Sequence, residues 1–316
     1  MRLLVARPMT AAVTARARAE FDVEFREDTL PMTRDEMLRA LTEFDVVVPT
    51  LGDLFSEQVF ALVPNPRCKL LANFGVGYNH IDVDAARAAG VAVTNTPGAV
   101  TDATADIAMT LLLSTARRAG EGERQVRAGT WQGWHPTQML GHHVTGKRVG
   151  IVGMGRIGQA IARRCHFGFG MQVLYQSRSK KEIDFPAEYV PDLKELGARV
   201  DFLILAVPGG AETRHLINAQ ILEAMNPSAL LINIARGEVV DESALIAALR
   251  AGQIAGAGLD VYEFEPAVPQ ALLDMENVTL LPHLGTATEE VRSDMGNMAL
   301  DNVAAFIDGR PLPNPV

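Results

Sequence analysis

Three side chains late in the chain could act on one small molecule. Arg236 follows the apolar run 229-ALLINI-234, Glu265 follows 255-AGAGLDV-261, and His283 follows 277-NVTLL-281. Each run reads as a buried strand, and each polar residue lies just past its carboxyl end. In open α/β sheets, ligands bind at that edge. The residue types suit an anion that takes up or releases a proton. A guanidinium fork can hold a carboxylate, and an imidazole can give and recover a proton near neutral pH. Taken singly, Arg236 could be a surface ion pair, Glu265 a solvated loop acid and His283 a hydrogen-bonded turn residue. Their joint placement is harder to read as packing.

A second candidate site lies upstream. Gly153-Met154-Gly155-Arg156-Ile157-Gly158 fits G-x-G-x-x-G, a weak pattern alone. Here it follows the strand-like 149-VGIV-152 and opens a helical pattern, the context that marks dinucleotide binding. The glycines allow a tight turn and close approach of backbone to a pyrophosphate. The first helical turn, with Arg156 and Ile157, offers free N–H groups and a partial positive charge. Sites for NAD usually carry an acid about 20 residues on, which bonds the ribose hydroxyls. From Met171 to Lys181 there is none; the segment reads Gln176-Ser177-Arg178-Ser179-Lys180-Lys181. Ser177 and Arg178 could bind a 2′-phosphate by charge-assisted hydrogen bonds, which predicts a preference for NADP(H). The alternative is a solvated basic loop and NAD(H) held mainly by its pyrophosphate.

The elements that must position these groups alternate along the chain. Strand candidates are Arg2 to Ala6, 45-DVVVP-49, 69-KLLAN-73, 91-VAVTN-95, 148-RVGIVG-153, 172-QVLYQ-176, 201-DFLILAV-207 and the three runs above. Their unbroken Val, Ile and Leu content is that of strands covered on both faces. Helical patterns lie at 82–90, 102–119, 156–167, 241–252 and 288–309. Thr101 is a candidate N-cap for the second and Asp241 for the fourth, which Gly252 can close. The alternation predicts a doubly wound α/β architecture with parallel sheets. The stretch 120–147 reads as polar and irregular.

Bulk properties narrow the function classes. A chain of 316 residues suits about two domains. Two distant cysteines, Cys68 and Cys165, argue against a disulfide framework and for a reducing, cytoplasmic setting. The N-terminus lacks a long apolar region and a clear cleavage site. No apolar run approaches the roughly 20 residues of a membrane span. With a net charge of −9 and no basic stripe, nucleic acid is not an expected partner. His135, His142 and His143 share one segment, but nothing completes a metal site.

The order 149-VGIVGMGRIG-158, 234-IARG-237, 259-LDVYEFEP-266 and 282-PHLGTAT-288 resembles the D-isomer-specific 2-hydroxyacid dehydrogenases, and within them the glyoxylate/hydroxypyruvate reductases. The resemblance continues through 73-NFGVGYNHID-82, 94-TNTPGAVTDATAD-106, 145-TGK-147 and 206-AVPGGAETRHLIN-218, nearly the whole chain. It implies a flavodoxin-like substrate domain of residues 1–98 plus 288–316. A Rossmann nucleotide-binding domain of residues 99–287 would be inserted into it. It also implies a homodimer, with residues 120–145 as its arm. By the same resemblance His283 would be the acid/base, Glu265 its partner and Arg236 the group holding a small 2-keto or 2-hydroxy acid. Reducing a keto acid needs hydride on carbon and a proton on oxygen, which fits those roles. Val76 and Gly77, in the 75-GVG-77 turn, would add N–H groups to the substrate carboxylate. Thr104, Asp260, Ile234, Ala235 and Gly285 would lie near the dinucleotide, with Val207 and Pro208 on its adenosine side. Trp134 would reach the partner subunit's substrate pocket, or else serve core or dimer packing.

His80 and Gly98 depart from the usual family pattern on the substrate side. Two rivals stand beside an NADPH-preferring reductase of glyoxylate or hydroxypyruvate. One is an NAD-dependent relative such as phosphoglycerate dehydrogenase, which the missing ribose acid disfavours. The other is a non-catalytic dinucleotide-sensing dimer, which retention of Arg236, Glu265 and His283 disfavours.

Overall fold

Short apolar strands separated by capped helices leave the chain little choice but parallel pairing, because each crossover carries a helix back across the sheet. The computed structural model describes residues 1–316. The chain divides into two compact units, Met1–Val100 with Thr286–Val316, and Thr101–Gly285. The first unit runs β1 (Arg2–Val5), α1 (Ala11–Glu20), β2 (Asp22–Phe25), α2 (Arg34–Glu43), β3 (Val46–Val48), α3 (Glu57–Leu62), β4 (Leu70–Ala72), α4 (Val83–Ala88) and β5 (Ala92–Thr94). The second opens with α5 (Thr101–Ala116), α6 (Ala119–Arg127), β6 (Arg148–Val152), α7 (Arg156–Arg163), β7 (Gln172–Gln176) and β8 (Ala187–Tyr189). It continues with α8 (Leu193–Arg199), β9 (Phe202–Leu205), α9 (Ala219–Ala224), β10 (Leu230–Asn233), α10 (Glu242–Arg250), β11 (Gly256–Leu259), α11 (Gln270–Leu273) and β12 (Val278–Leu280). The chain then returns to the first unit as α12 (Glu289–Ile307).

The first sheet is parallel throughout, in the order β2-β1-β3-β4-β5, which is the flavodoxin-like order. Period-two alternation sorts its faces. Leu3, Val5, Val46, Val48, Leu70 and Ala72 pack with Ala299, Leu300 and Val303 of α12. Leu4, Val47 and Leu71 pack instead with Met37 and Leu41 of α2 and with Val59 and Phe60 of α3.

The second sheet is also parallel, in the order β12-β11-β10-β9-β6-β7-β8. The strand order reverses between β6 and β9, the doubly wound Rossmann arrangement. Val149, Ile151, Ile204 and Ile232 face Leu111 and Leu112 of α5. Val152, Leu203, Leu205, Leu231 and Leu259 face Leu196, Leu222 and Leu245 from α8, α9 and α10.

Several local expectations are corrected. Thr101 does not cap α5 but is its first residue. The helix expected over 102–119 ends at Ala116, because Arg118 turns left-handed (φ 54°) as the N-cap residue of α6. The irregular stretch therefore opens as helix. The helix expected over 156–167 is α-helical only to Arg163, and Arg164–Gly168 widen into a π-helical turn. Asp241 caps α10, accepting a hydrogen bond from the Ala244 amide, and Gly252 follows in a left-handed conformation (φ 65°).

Candidate active site

Turn geometry builds the dinucleotide end. Gly153 follows β6 with φ 96°, and a Cβ there would lie 2.7 Å from the Ala206 carbonyl oxygen. A Cβ on Gly158 would lie 2.0 Å from the Gly153 carbonyl oxygen, so α7 seats against the turn only without a side chain. At Gly155 the space is open, with nothing within 4 Å of where a Cβ would be. Gly155 is also the N-cap of α7 and brings no capping side chain, which leaves first-turn N–H groups for an anion. Arg156 is exposed in that turn, and Ile157 is half-buried. A pyrophosphate fits this cradle.

The loop after β7 is shaped by two tyrosines. The Tyr175 hydroxyl accepts from the Lys181 amide (3.0 Å), and the Tyr189 hydroxyl donates to the Ser177 carbonyl (3.2 Å). Ser177 closes its own loop, its hydroxyl donating to the Ser179 carbonyl at 2.7 Å. Arg178 is exposed, as are Lys180 and Lys181, so the loop offers three cations to an anionic ligand. After β9, Val207 is half-buried and Pro208 exposed.

The three late residues sit at the carboxyl ends of consecutive strands: Arg236 after β10, Glu265 after β11 and His283 after β12. His283 Nδ1 lies 2.8 Å from Glu265 Oε2, and the other carboxylate oxygen accepts from the Tyr262 amide at 3.0 Å. Burial alone would raise the Glu265 carboxyl. The His283 hydrogen bond and charge, the Tyr262 amide and the Arg236 charge together hold it below the usual carboxylate range. Burial lowers the Arg236 guanidinium from its ordinary value, against the charges of Glu265 and Glu238. Arg236 Nη1 donates to the Ala235 carbonyl at 2.6 Å.

Asp260 anchors the histidine turn. Its carboxylate oxygens accept from the Leu284 amide (2.6 Å) and the Gly285 amide (2.8 Å), and its carbonyl accepts from the His283 amide (2.9 Å). Burial raises the Asp260 carboxyl, opposed by those amides and by His283. Thr104 is buried and donates to the Gly285 carbonyl at 3.1 Å. Ile234 and Ala235 are buried. In the first unit, Asn73 Nδ2 donates to the Gly75 and Gly77 carbonyls (3.1 and 3.0 Å), and Asn95 Nδ2 donates to that of Val76 (2.9 Å). The turn's carbonyls are thus engaged, and the Val76 and Gly77 amides are open. Trp134 is 78% exposed.

Residues 109–285 match the model of the D-isomer specific 2-hydroxyacid dehydrogenase NAD-binding domain. The chain is 46% identical over 306 residues to the glyoxylate reductase of Thermococcus onnurineus, covering 95% of this chain and 90% of that one. The chain belongs to the D-isomer-specific 2-hydroxyacid dehydrogenase family. Members of this family are oxidoreductases, and two solved structures match along the whole chain. A Thermus thermophilus protein is 40% identical with a TM-score of 0.92, each chain covered fully. The NADPH-dependent glyoxylate/hydroxypyruvate reductase of Sinorhizobium meliloti, solved with NADP and malonate, is 38% identical with a TM-score of 0.87. That match covers 100% of this chain and 96% of that one.

Sequence reasoning missed residues that work through backbone. Asn233 Nδ2 donates to the Arg236 carbonyl and Oδ1 accepts from the Ala235 amide, both at 3.0 Å, which fixes the turn presenting Arg236. The Tyr262 hydroxyl donates to the Leu281 carbonyl at 2.8 Å and ties the Glu265 loop to the His283 loop. No spacing rule marks such residues; only their place beside the strand ends could have suggested them.

Proposed function

We propose that the protein reduces small 2-keto acids, glyoxylate and hydroxypyruvate foremost, to 2-hydroxy acids, with NADPH preferred over NADH. The 2.8 Å pairing of His283 with Glu265, at the sheet edge that also carries Arg236, is the observation that supports it most. A nicotinamide dinucleotide, when bound, supplies hydride for the keto carbon. Gly153, Gly155, Gly158 and the first turn of α7 hold its pyrophosphate, and Arg178 favours a 2′-phosphate. With Nδ1 committed to Glu265, His283 presents Nε2 as the atom that passes a proton to the keto oxygen. Glu265, held ionised, stabilises the imidazolium before that transfer and fixes the tautomer after it. Arg236 grips the substrate carboxylate with its fork, and burial strengthens that grip by excluding water. In the first unit, the open amides of Val76 and Gly77 are donors suited to a carboxylate. The names of the relatives support the substrate class, and the NADP-bound Sinorhizobium structure supports the cofactor. Val126, Trp131, Trp134 and Leu140 expose large apolar surfaces, which supports a second copy of the chain as their cover.

The test is oxidation of NADPH and of NADH against glyoxylate, hydroxypyruvate, pyruvate, phenylpyruvate and 3-phosphohydroxypyruvate. Turnover of the two smallest oxygenated acids with higher kcat/KM for NADPH is expected. A preference for NADH would reverse the assignment of Arg178, and inactivity on every acid would remove the reductase reading.

A further inference from the structure

The segment 206-AVPGGAETRHLIN-218 belongs to the family pattern, yet the chemistry above leaves most of it without a task. It joins the two loops that carry Arg236 and Glu265. A Cβ on Gly209 would lie 2.7 Å from Arg236 Cγ and 2.9 Å from Glu238 Oε1, so the arginine stem runs along bare backbone. The Gly210 amide donates to Glu238 Oε1 (2.9 Å), and the His215 amide donates to the Glu238 carbonyl (2.8 Å). On its other side the segment grips Glu263. His215 Nε2 and Arg214 Nη2 both meet Glu263 Oε1, at 2.8 and 3.0 Å. The Glu263 amide donates to Glu242 Oε1 at 2.9 Å. Gly237 closes the ring, since a Cβ there would lie 1.8 Å from the Tyr262 carbonyl carbon. The backbone just after Arg236 therefore abuts the peptide just before Glu263.

His215 is unusual within this clamp. Its φ of 49° is left-handed for a residue with a side chain, a strain that persists only where the surroundings hold it. Its amide holds one loop and its ring holds the other. The Glu263 side chain is 7% exposed, and Glu242 and Glu265 lie close enough for their charges to act together. A carboxylate so placed needs its cationic and N–H partners. Without them it would move, carrying the 262–265 backbone with it.

We propose that His215 is a positioning residue. Through Glu263 it sets the 262–265 loop and hence the aim of the Glu265 carboxylate at His283, with Arg214 as a second donor. This rests on the reading of Glu265 and His283 as the proton-transfer pair. The test compares His215→Ala with His215→Gln, whose Nε2 can reach the same acceptor. Two readouts are needed: steady-state kinetics, and the His283 Nδ1 proton resonance, which the Glu265 bond deshields. His215→Ala should lower kcat about 10-fold or more, since small misplacements far from the chemistry can cost about 100-fold. Keto acid KM and NADPH binding should stay within about twofold, because neither Arg236 nor the α7 turn is altered. The resonance should move upfield, and His215→Gln should restore both readouts. Unchanged kcat and resonance in folded His215→Ala overturn the proposal. So does a loss that His215→Gln fails to restore, since that is general destabilisation. If His215→Ala does not fold, Arg214→Gln and His215→Gln carry the test. A graded fall in kcat with a shifted resonance in Arg214→Gln then supports the clamp, and its absence overturns it. A wild-type protein inactive on every keto acid fails the reductase reading alone, because the resonance still tests His215.

Discussion

His283 adopts φ 55°, a conformation that a side-chain-bearing residue resists, and Asp260 holds it there through three hydrogen bonds. The imidazole is thereby aimed by its own backbone as well as by Glu265. Replacing it with glutamine should cut kcat by about 100- to 10,000-fold, the range of a lost general acid. NADPH binding should persist, since no cofactor-loop residue changes. Near-normal turnover in His283→Gln would remove it from the proton-donor role. Arg236→Ala should raise the keto acid KM and lower kcat, and lysine should not rescue it, because an ammonium lacks the planar fork. A change confined to NADPH affinity would contradict that assignment. These residues were legible because each interrupts the chain just past an apolar run. The strand-end position of Asp260 was legible, but its bonds to the His283 turn were not. Read as a neighbour of the nicotinamide, it spends both carboxylate oxygens on the His283 turn. The Ser177 hydroxyl, a candidate for a phosphate, has a local bond to the Ser179 carbonyl that spacing alone does not reveal.

Among the elements, the β6–α7 turn leaves little room for change. A methyl group at Gly158 would meet the Gly153 carbonyl oxygen at 2.0 Å, so helix or turn must shift. Gly158→Ala should weaken NADPH binding at least about 10-fold, about 1.4 kcal/mol. Isothermal titration checks this, and wild-type affinity in the variant would show that the turn yields at little cost. Buried strands were easy to find, because Val, Ile and Leu runs need cover on both faces. The half-exposed β2 and β8 were not found, since Asp22–Phe25 and Ala187–Tyr189 carry charge and little apolar length. Helix α2 carries a start signal in its sequence. Thr33 and Glu36 form a capping box, the Thr33 hydroxyl accepting from the Glu36 amide and the Glu36 carboxylate accepting from the Thr33 amide. The π-helical turn at 164–168 had no such signal, because the α7 pattern runs through it unbroken.

At the scale of the whole molecule, strand order was the part that residues alone could not supply. Alternation predicts parallel sheets, but only the family resemblance implied a divided first domain. Acid stability is a property at this scale. Arg67 grips Asp45 with two hydrogen bonds (2.9 and 3.0 Å) and the Arg2 amide adds a third (2.6 Å), tying β1 to the start of β3. The Arg67 bonds above all hold the Asp45 carboxyl down at about 2, below its usual 3.8. A depressed carboxyl stabilises the fold above its unfolded value and loses that contribution as pH falls towards the folded one. Asp45→Asn should therefore cost on the order of 1 kcal/mol at neutral pH, after screening at the exposed Arg67. The gap in urea midpoints should narrow from pH 5 to pH 3; a constant gap would contradict the linkage. The divided unit also has a consequence for synthesis. The ribosome releases β1 to β5 long before Ala299, Leu300 and Val303, which cover one face of that sheet. At about 5–20 residues per second, the intervening 185 residues, 101 to 285, take roughly 10–40 s to translate. For that interval this sheet face has only Val13 and Ala17 of α1 as helical cover, and the part that α12 will cover stands open. The last helix completes the cover of this face.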